Sequence, residues 1–285
     1  MSIKWRGWSG VLAIAGLVLV ILALLWSLVI FPAMAKLPSD LSQATNFEGT
    51  YQVMNPATQT MDEIPVNVER DYRATEIQDG VLILEQTVTT THAQYGVELP
   101  DFGLEEILGV DRSTREYVSG YGDMDRSGQF SFPSDLKQES YQLWNPSAGR
   151  ALEANFVAEE DFNDLTVYVF QVNEENIDIG TQAGTGFAQS LDTTINLKVE
   201  PVSGTTVYSQ SVTTIKVTMA PGMTVPVYIS IIEFTEDTIA ELVDTASDAR
   251  TLLLWATLYG FWIVVALGIA LILAGLLVGN RARSD

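Results

Sequence analysis

The chain has 285 residues, of which 47% are hydrophobic, with no cysteine, one histidine and a formal net charge of −21. Such acidity excludes a nucleic-acid partner, because phosphates require Lys and Arg, and excludes a polybasic grip on anionic lipid. Without cysteine there is no disulfide framework, and zinc or most transition-metal sites lack ligands.

The chain opens with a short tail, residues 1–10, and then an apolar run from Val11 to Phe31 whose only polar residue is Ser27. A helix needs roughly 20 apolar residues to cross a bilayer core of about 30 Å. The run therefore predicts a first transmembrane helix over residues 11–31. The competing reading is a cleavable signal peptide, since Ala33-Met34-Ala35 has the small-x-small form of a cleavage site. A signal core is only about 7–15 residues long, so the anchor is favoured. A second run, Leu252–Val278, is interrupted only by Thr257 and Tyr259. It predicts a second span over 251–279 and a closing tail over 280–285. Lys4 and Arg6 flank the first run, and Arg281 and Arg283 the second. Short basic flanks stay cytoplasmic. Both termini are thus expected in the cytoplasm of a two-pass cell-membrane protein, with residues 32–250 outside. That segment holds 35 acidic and 11 basic residues, a net charge of −24.

The outer segment reads as strands. Thr194–Val199 alternates apolar and polar with a period of two. Val81–Thr91, Leu165–Val172, Thr205–Thr218 and Val225–Phe234 are rich in Val, Ile, Thr, Tyr and Phe. Leu165–Val172 and Val225–Phe234 are apolar on both faces, which suits central strands covered on both sides. One turn chemistry recurs at Asn55-Pro56, Asp111-Arg112, Asn145-Pro146 and Glu200-Pro201, each followed by small residues. These read as hairpin connections; their irregular spacing argues against a fixed-period repeat. Gly180–Ser190 is a flexible loop. Residues 235–250 predict a juxtamembrane helix, with a capping box at Thr238 and Glu241 and a stripe of Ile239, Leu242, Val243 and Ala246. No Gly or Pro separates it from the second span, which predicts one rigid rod. The expected fold is mainly β: an antiparallel β-rich extracytoplasmic domain, a meander or curved sheet over 32–234, flanked by transmembrane α-helices.

No catalytic constellation emerges. His92 is alone in a Thr-rich strand, and no nucleophile elbow, phosphate loop or zincin motif occurs. The best metal candidate is the loop Asp123-Met124-Asp125-Arg126-Ser127-Gly128, with Asp123, Asp125 and Ser127 as its ligand-type residues. A calcium hand also needs Glu at its twelfth position, where Ser134 stands, and Arg126 brings a positive charge into the loop. A solvated turn is the better reading. No cofactor is expected. The spans carry small-residue rows, Ala266-Ala270-Ala274, Gly275-Gly279 and Ala23-Ser27. These allow close helix packing within one chain or in a homo-oligomer.

Several stretches carry a resemblance: Phe132-Pro133, Tyr141-Gln142-Leu143-Trp144-Asn145, Gly149-Arg150-Ala151, Leu165–Phe170, Ile179-Gly180, Val199–Gly204 and the acidic helix leading into the last span. With these the chain resembles the PorA-type porin family of actinobacterial envelope proteins. The resemblance covers most of the chain and implies a common fold, with no catalytic residues to carry over. Three functions stay open. The first is a non-catalytic, membrane-anchored envelope protein whose β domain binds or conducts a lipid or other apolar or amphiphilic ligand. The second is an oligomeric channel, as the family's name implies. The third is a cell-surface scaffold or sensor.

Overall fold

The computed structural model describes residues 8–26, 28 and 35–281. The tails 1–7 and 282–285, and the end of the first apolar run, lie outside the described residues. The chain divides into two units: residues 1–36 with 248–285, and residues 37–247.

In the first unit, α1 (Trp8–Leu25) packs along α3 (Gly260–Arg281). Glycine makes the approach possible. A Cβ on Gly268 would lie 2.8 Å from the Gly16 carbonyl oxygen, and one on Gly16 would overlap the Gly268 carbonyl. Two turns further, Gly275 faces Ser9 and Ala13 in the same way. Ala13 and Ala23 are buried in this contact, whereas Ala266 and Ala270 lie exposed off it. Glycine therefore sets the intrachain helix contact, and the predicted alanine row does not. The Trp26 indole also donates to the Ala256 carbonyl at 3.1 Å. Leu17, Ile21, Leu267 and Leu277 point outward, the apolar surface a hydrocarbon phase requires. Among the described residues, one helix, Gly260–Val278, is long and apolar enough to cross a membrane; Ser9–Leu25 is apolar but shorter.

The second unit is one antiparallel sheet of eleven strands: β1 (Ser42–Asn55), β2 (Thr60–Gln78), β3 (Val81–His92), β4 (Leu104–Asp111), β5 (Tyr117–Gly122), β6 (Tyr141–Asn145), β7 (Arg150–Phe162), β8 (Leu165–Thr181), β9 (Ala188–Glu200), β10 (Thr205–Ala220) and β11 (Met223–Phe234). Their order is β5-β4-β3-β2-β1-β11-β10-β9-β8-β7-β6. Chain neighbours pair throughout except β5 and β6, which lie at the two ends; at the centre β1 meets β11 over seven residue pairs from Phe47↔Phe234 to Val53↔Tyr228. β11 is thus central, as its apolar sequence suggests. Its outer face is not covered, however, and Ile231 is 41% exposed.

All four Asx- or Glu-led turns are hairpin connections. Asn55 and Asn145 each accept one backbone N–H, from Ala57 and Ala148. Asp111 accepts two, from Ser113 and Thr114; Glu200 also accepts two, from Val202 and Ser203. In every case the fourth residue onward has positive φ: Gln59, Arg115, Gly149 and Gly204. Two-residue turns with positive φ at both positions link β2 to β3 (Asp79-Gly80) and β7 to β8 (Asn163-Asp164), as right-twisted hairpins prefer. The connection pattern of β1–β5 therefore recurs in β6–β10, and Tyr51-Gln52-x-x-Asn55-Pro56 returns as Tyr141-Gln142-x-x-Asn145-Pro146. Turn spacing argues only against a fixed-period repeat; the topology adds that the two halves share one order of connections. β2 has 19 residues and β7 has 13, so unequal strand length disguises two copies of one five-strand meander.

The two outer strands meet. Gln129 bridges Glu116 on one side and Leu143 on the other. Tyr117 N donates to Gly128 O, Phe130 N to Arg115 O, Gln129 N to Gln142 O, and Trp144 N to Gln129 O, at 2.7–3.2 Å. The sheet is closed on itself through this short segment. Three apolar clusters fill parts of its inward side: Phe132, Phe170, Leu191 and Val199; Leu82, Leu84, Leu108 and Val110; and Phe47, Val66, Val68, Leu165, Val167 and Val207.

The helix after β11, α2 (Glu236–Leu254), adds its expected stripe of Ile239, Leu242, Val243 and Ala246 to the last cluster. Its cap is Thr235, whose hydroxyl accepts the Thr238 N–H, and not Thr238, which instead accepts Asn46 N–H. Sheet pairing, not helix sequence, fixes that start: β11 ends at Phe234. A π-helical turn, Trp255–Tyr259, joins α2 to α3 without an intervening residue.

Candidate functional site: the inward face of the closed sheet

Alternation along each strand decides which side chains face inward. On β1 these are Thr45, Phe47 and Tyr51; their partners place Arg70, Val68 and Ile64 of β2 on the same face. Arg70 pairs with Val88, and Tyr72 with Gln86, which in turn pairs with Glu106. Across the other seam, Tyr51 pairs with Ser230, Ser230 with Thr213 and Thr213 with Thr193.

Two polar systems result. The first is a line of hydroxyls crossing β9, β10, β11 and β1 to reach β3. Thr193 and Thr213 share a buried hydrogen bond of 3.1 Å. The Tyr51 and Tyr228 rings meet edge-on at 5.4 Å; Thr90 donates to the Phe102 carbonyl at 3.1 Å. Burial pushes the Tyr51 phenol up, opposed by its Thr90 and Tyr228 bonds, and burial also pushes Tyr228 up. Both stay neutral at neutral pH. Phe102 lies 5.1 Å from the Tyr51 ring and stacks on Tyr228 at 5.9 Å.

The second system holds three arginines. Arg126, only 5% exposed, bonds Glu106 at 2.9 Å and Asp123 at 2.6 Å. It also donates to the Ile107 and Met124 carbonyls and lies over the Trp144 ring. Arg115, at the positive-φ position of its turn, donates to the Phe132 carbonyl, to Ser134 Oγ at 2.9 Å and to the Ser203 carbonyl at 3.1 Å. It thereby ties two equivalent turns of the two meanders together. Burial lowers its pKa to about 10, so it stays protonated at neutral pH. Arg70 lies 4.9 Å over the Phe47 ring. Its Nε is buried without an acceptor. Among the described residues it enters no ion pair.

The predicted calcium-type residues do not converge. Asp123 is held by Arg126. Burial pushes its carboxyl up, but the Arg126 bond and charge outweigh this and keep it below the usual carboxylate range. Asp125 accepts the Gly120 N–H at 2.9 Å, and Ser127 is exposed. Among the described residues, no group of three His, Cys, Asp or Glu side chains could hold a metal. His92 ends β3, where its Nδ1 accepts the Gln94 N–H at 3.2 Å. A cleft of about 330 Å³ of mixed character is lined by Asn46, Phe47, Asn67, Val68, Glu69, Thr89, Thr91, Thr235 and Asp237. Sequence reasoning noticed Arg126 but passed over Arg70 and Arg115. The available clue was Arg115 itself, a long cation at the turn position where the second meander has glycine.

The fold of the whole chain can be compared with known families. The match is to porin PorA, over residues 8–277. The chain belongs to the porin PorA family. No curated protein matches it. Family and apolar C-terminal helix together mark a membrane protein. In this porin PorA member the described strands form the unit of residues 37–247, and the apolar helices belong to the other unit.

Proposed function

We propose that this porin PorA family member is a non-catalytic, membrane-anchored envelope protein whose β domain faces outward and binds or conducts an amphiphilic molecule. The observation that carries this reading is the closed sheet with a mixed inward face. The second meander packs that face tightly with Phe132, Phe170 and Leu191. On the first meander and β11, Ile64, Val88, Phe102 and Tyr228 remain only partly buried beside hydroxyls and Arg70. Apolar surface with a few placed polar groups is what small-molecule sites use. Basic flanks at both chain ends and a net charge of −24 between them support the outward orientation.

Native mass spectrometry of the full chain in mild detergent tests the reading. A monomer with a stoichiometric bound amphiphile is expected. A discrete, ligand-free oligomer overturns it and favours the second reading, a channel, which the family's name supports. Single-channel conductance in a planar bilayer, abolished by altering the α1–α3 contact, would establish that alternative.

A further inference from the structure

We infer that one end of the closed sheet enters the surface of a lipid bilayer with neutral headgroups. Strand register gathers the tips that form this end. β1 and β2 turn back at Asn55↔Thr60, β10 and β11 at Ala220↔Met223, and β8 and β9 at Thr181↔Ala188. Because β1 meets β11 and β9 meets β10 antiparallel, the three hairpins project the same way. The tip after β3 joins them. Val66 of β2 pairs with His92, and the His92 N–H donates to the Val97 carbonyl, so the chain turns back at residues 93–96. In sheet order the four tips are neighbours.

Charge is absent from this end. Of the 219 residues from 32 to 250, 46 are charged, yet residues 49–61, 86–97, 179–191 and 217–232, which build the four tips, hold no Asp, Glu, Lys or Arg. The connections at the opposite end carry Asp79, Asp111, Asp164, Glu200 and, after β11, Glu236. Neutrality therefore belongs to one end and not to turns in general. Asp62, Glu98 and Asp178 lie behind the tips, opposite Val53, Thr91 and Ser190. The apolar side chains stand outward instead: Tyr95, Val97, Phe187, Met219 and Met223 are 38–67% exposed. A charge pressed toward hydrocarbon is costly, and anionic headgroups repel a −24 domain. A neutral end with apolar tips fits a zwitterionic surface, at whose headgroup level aromatic rings such as Tyr95 and Phe187 settle.

A second copy of the chain fits less well. Neighbouring hairpins lie roughly 10 Å apart, two strand spacings, so the apolar tips are separate points. A stable protein interface uses about 800 Å² per partner in one packed patch, whereas fluid lipid fills the space between points. The inference does not depend on any ligand held within the sheet.

The chain lacks cysteine, so a single introduced thiol takes a label alone. The full chain, held in phosphatidylcholine nanodiscs, carries an environment-sensitive fluorophore at Ala183→Cys on the β8–β9 tip or at Ser113→Cys at the opposite end; both positions are exposed. Phosphatidylcholine vesicles are added, with doxyl-labelled lipid as quencher in disc and vesicle. The expected result is a blue shift and quenching at residue 183 and neither at residue 113. Quenching already present before vesicles are added supports the inference equally and identifies the bilayer met. Phe187→Ser with Met223→Ser should raise the lipid concentration required by about tenfold, and vesicles rich in phosphatidylglycerol should bind less. No quenching at residue 183, or equal quenching at both labels, overturns the inference. A blue shift that grows with protein concentration and is not quenched by doxyl lipid assigns this end to a second copy and also overturns it. Should the double variant fail to fold, as thermal melting would reveal, the comparison of the two labels still decides.

Discussion

Removing Arg126 tests the electrostatic account of the closed sheet. Its side chain is 1% exposed and that of its partner Glu106 is 11% exposed. Asp123, at 37%, is wet enough that its share is small. Arg126→Ala leaves the Glu106 carboxylate buried without a cation, and breaking a buried pair this way costs about 3–5 kcal/mol. For a domain of this size each kcal/mol lowers Tm by about 2–4 °C, so the melting transition should fall by roughly 6–20 °C. Replacing both partners, Arg126→Met with Glu106→Leu, removes the stranded charge. The Ile107 and Met124 carbonyls then lose a donor, at about 1 kcal/mol each, and the wetter Asp123 carboxylate loses its Arg126 bond at little cost, so the double variant should lie within about 3 kcal/mol of wild type. Urea unfolding of the full chain in detergent, followed by far-ultraviolet circular dichroism, measures both. If the single variant loses less than about 1 kcal/mol, or the double variant is as unstable as the single, the stranded-charge argument is wrong.

Cysteines placed at Ala13 and Gly275 should cross-link on oxidation, because a Cβ on Gly275 lies 3.2 Å from that of Ala13; adding Gly16→Leu should abolish the cross-link in a gel-shift assay. Gly149→Ala should cost only about 1–2 kcal/mol, the left-handed penalty, because nothing lies within 4 Å of the new Cβ. Gly204→Ala should cost clearly more in the same melting assay, because its Cβ overlaps the Pro133 carbonyl. Burial raises the Asp192 carboxyl, but Lys216 at 2.7 Å and the Asn176 N–H outweigh it and lower the folded pKa. A depressed folded value means stabilisation present above the ordinary aspartate value of about 3.9 and lost as pH falls through the lowered one. Lys216→Met should flatten that part of the acid-unfolding curve.

Much of this fold is legible in the chain because turn chemistry is local. Asn55, Asp111, Asn145 and Glu200 each bond backbone N–H groups two or three residues ahead, so short sequence windows hold the whole cause. Strands β3, β8, β10 and β11 are legible for a similar reason, being dense in β-branched and aromatic residues. β2 is harder to read: Glu63, Asn67, Glu69, Asp71 and Arg73 cover its outer face, and only Ile64, Val66 and Val68 mark the inner one. The expected start of α2 at residue 235 lies one residue from the observed Glu236, but its cap is three residues earlier than the sequence suggests, because two threonines compete for it and the end of β11 decides between them. The place of Arg70 over the Phe47 ring is not legible because it depends on which strand lies beside β2. The same holds for the closure at Gln129, which joins residues separated by the whole of the β5–β6 connection.

A ring assembled from two copies of one unit has two joints, and here they are unequal. At one joint β1 and β11 run together over seven pairs. At the other, the short segment of residues 128–130 spans the gap between β5 and β6 with four backbone hydrogen bonds. Local opening follows the fewest bonds broken, so the amides of Gln129, Phe130 and Trp144 should exchange with deuterium well before those of Thr50–Val53. Parting there would bare two strand edges, which are adhesive surfaces. The same parting would give the first meander's inward face a way to the outside. The domain therefore has a built-in hinge line, and its weakest joint and its aggregation hazard are the same place.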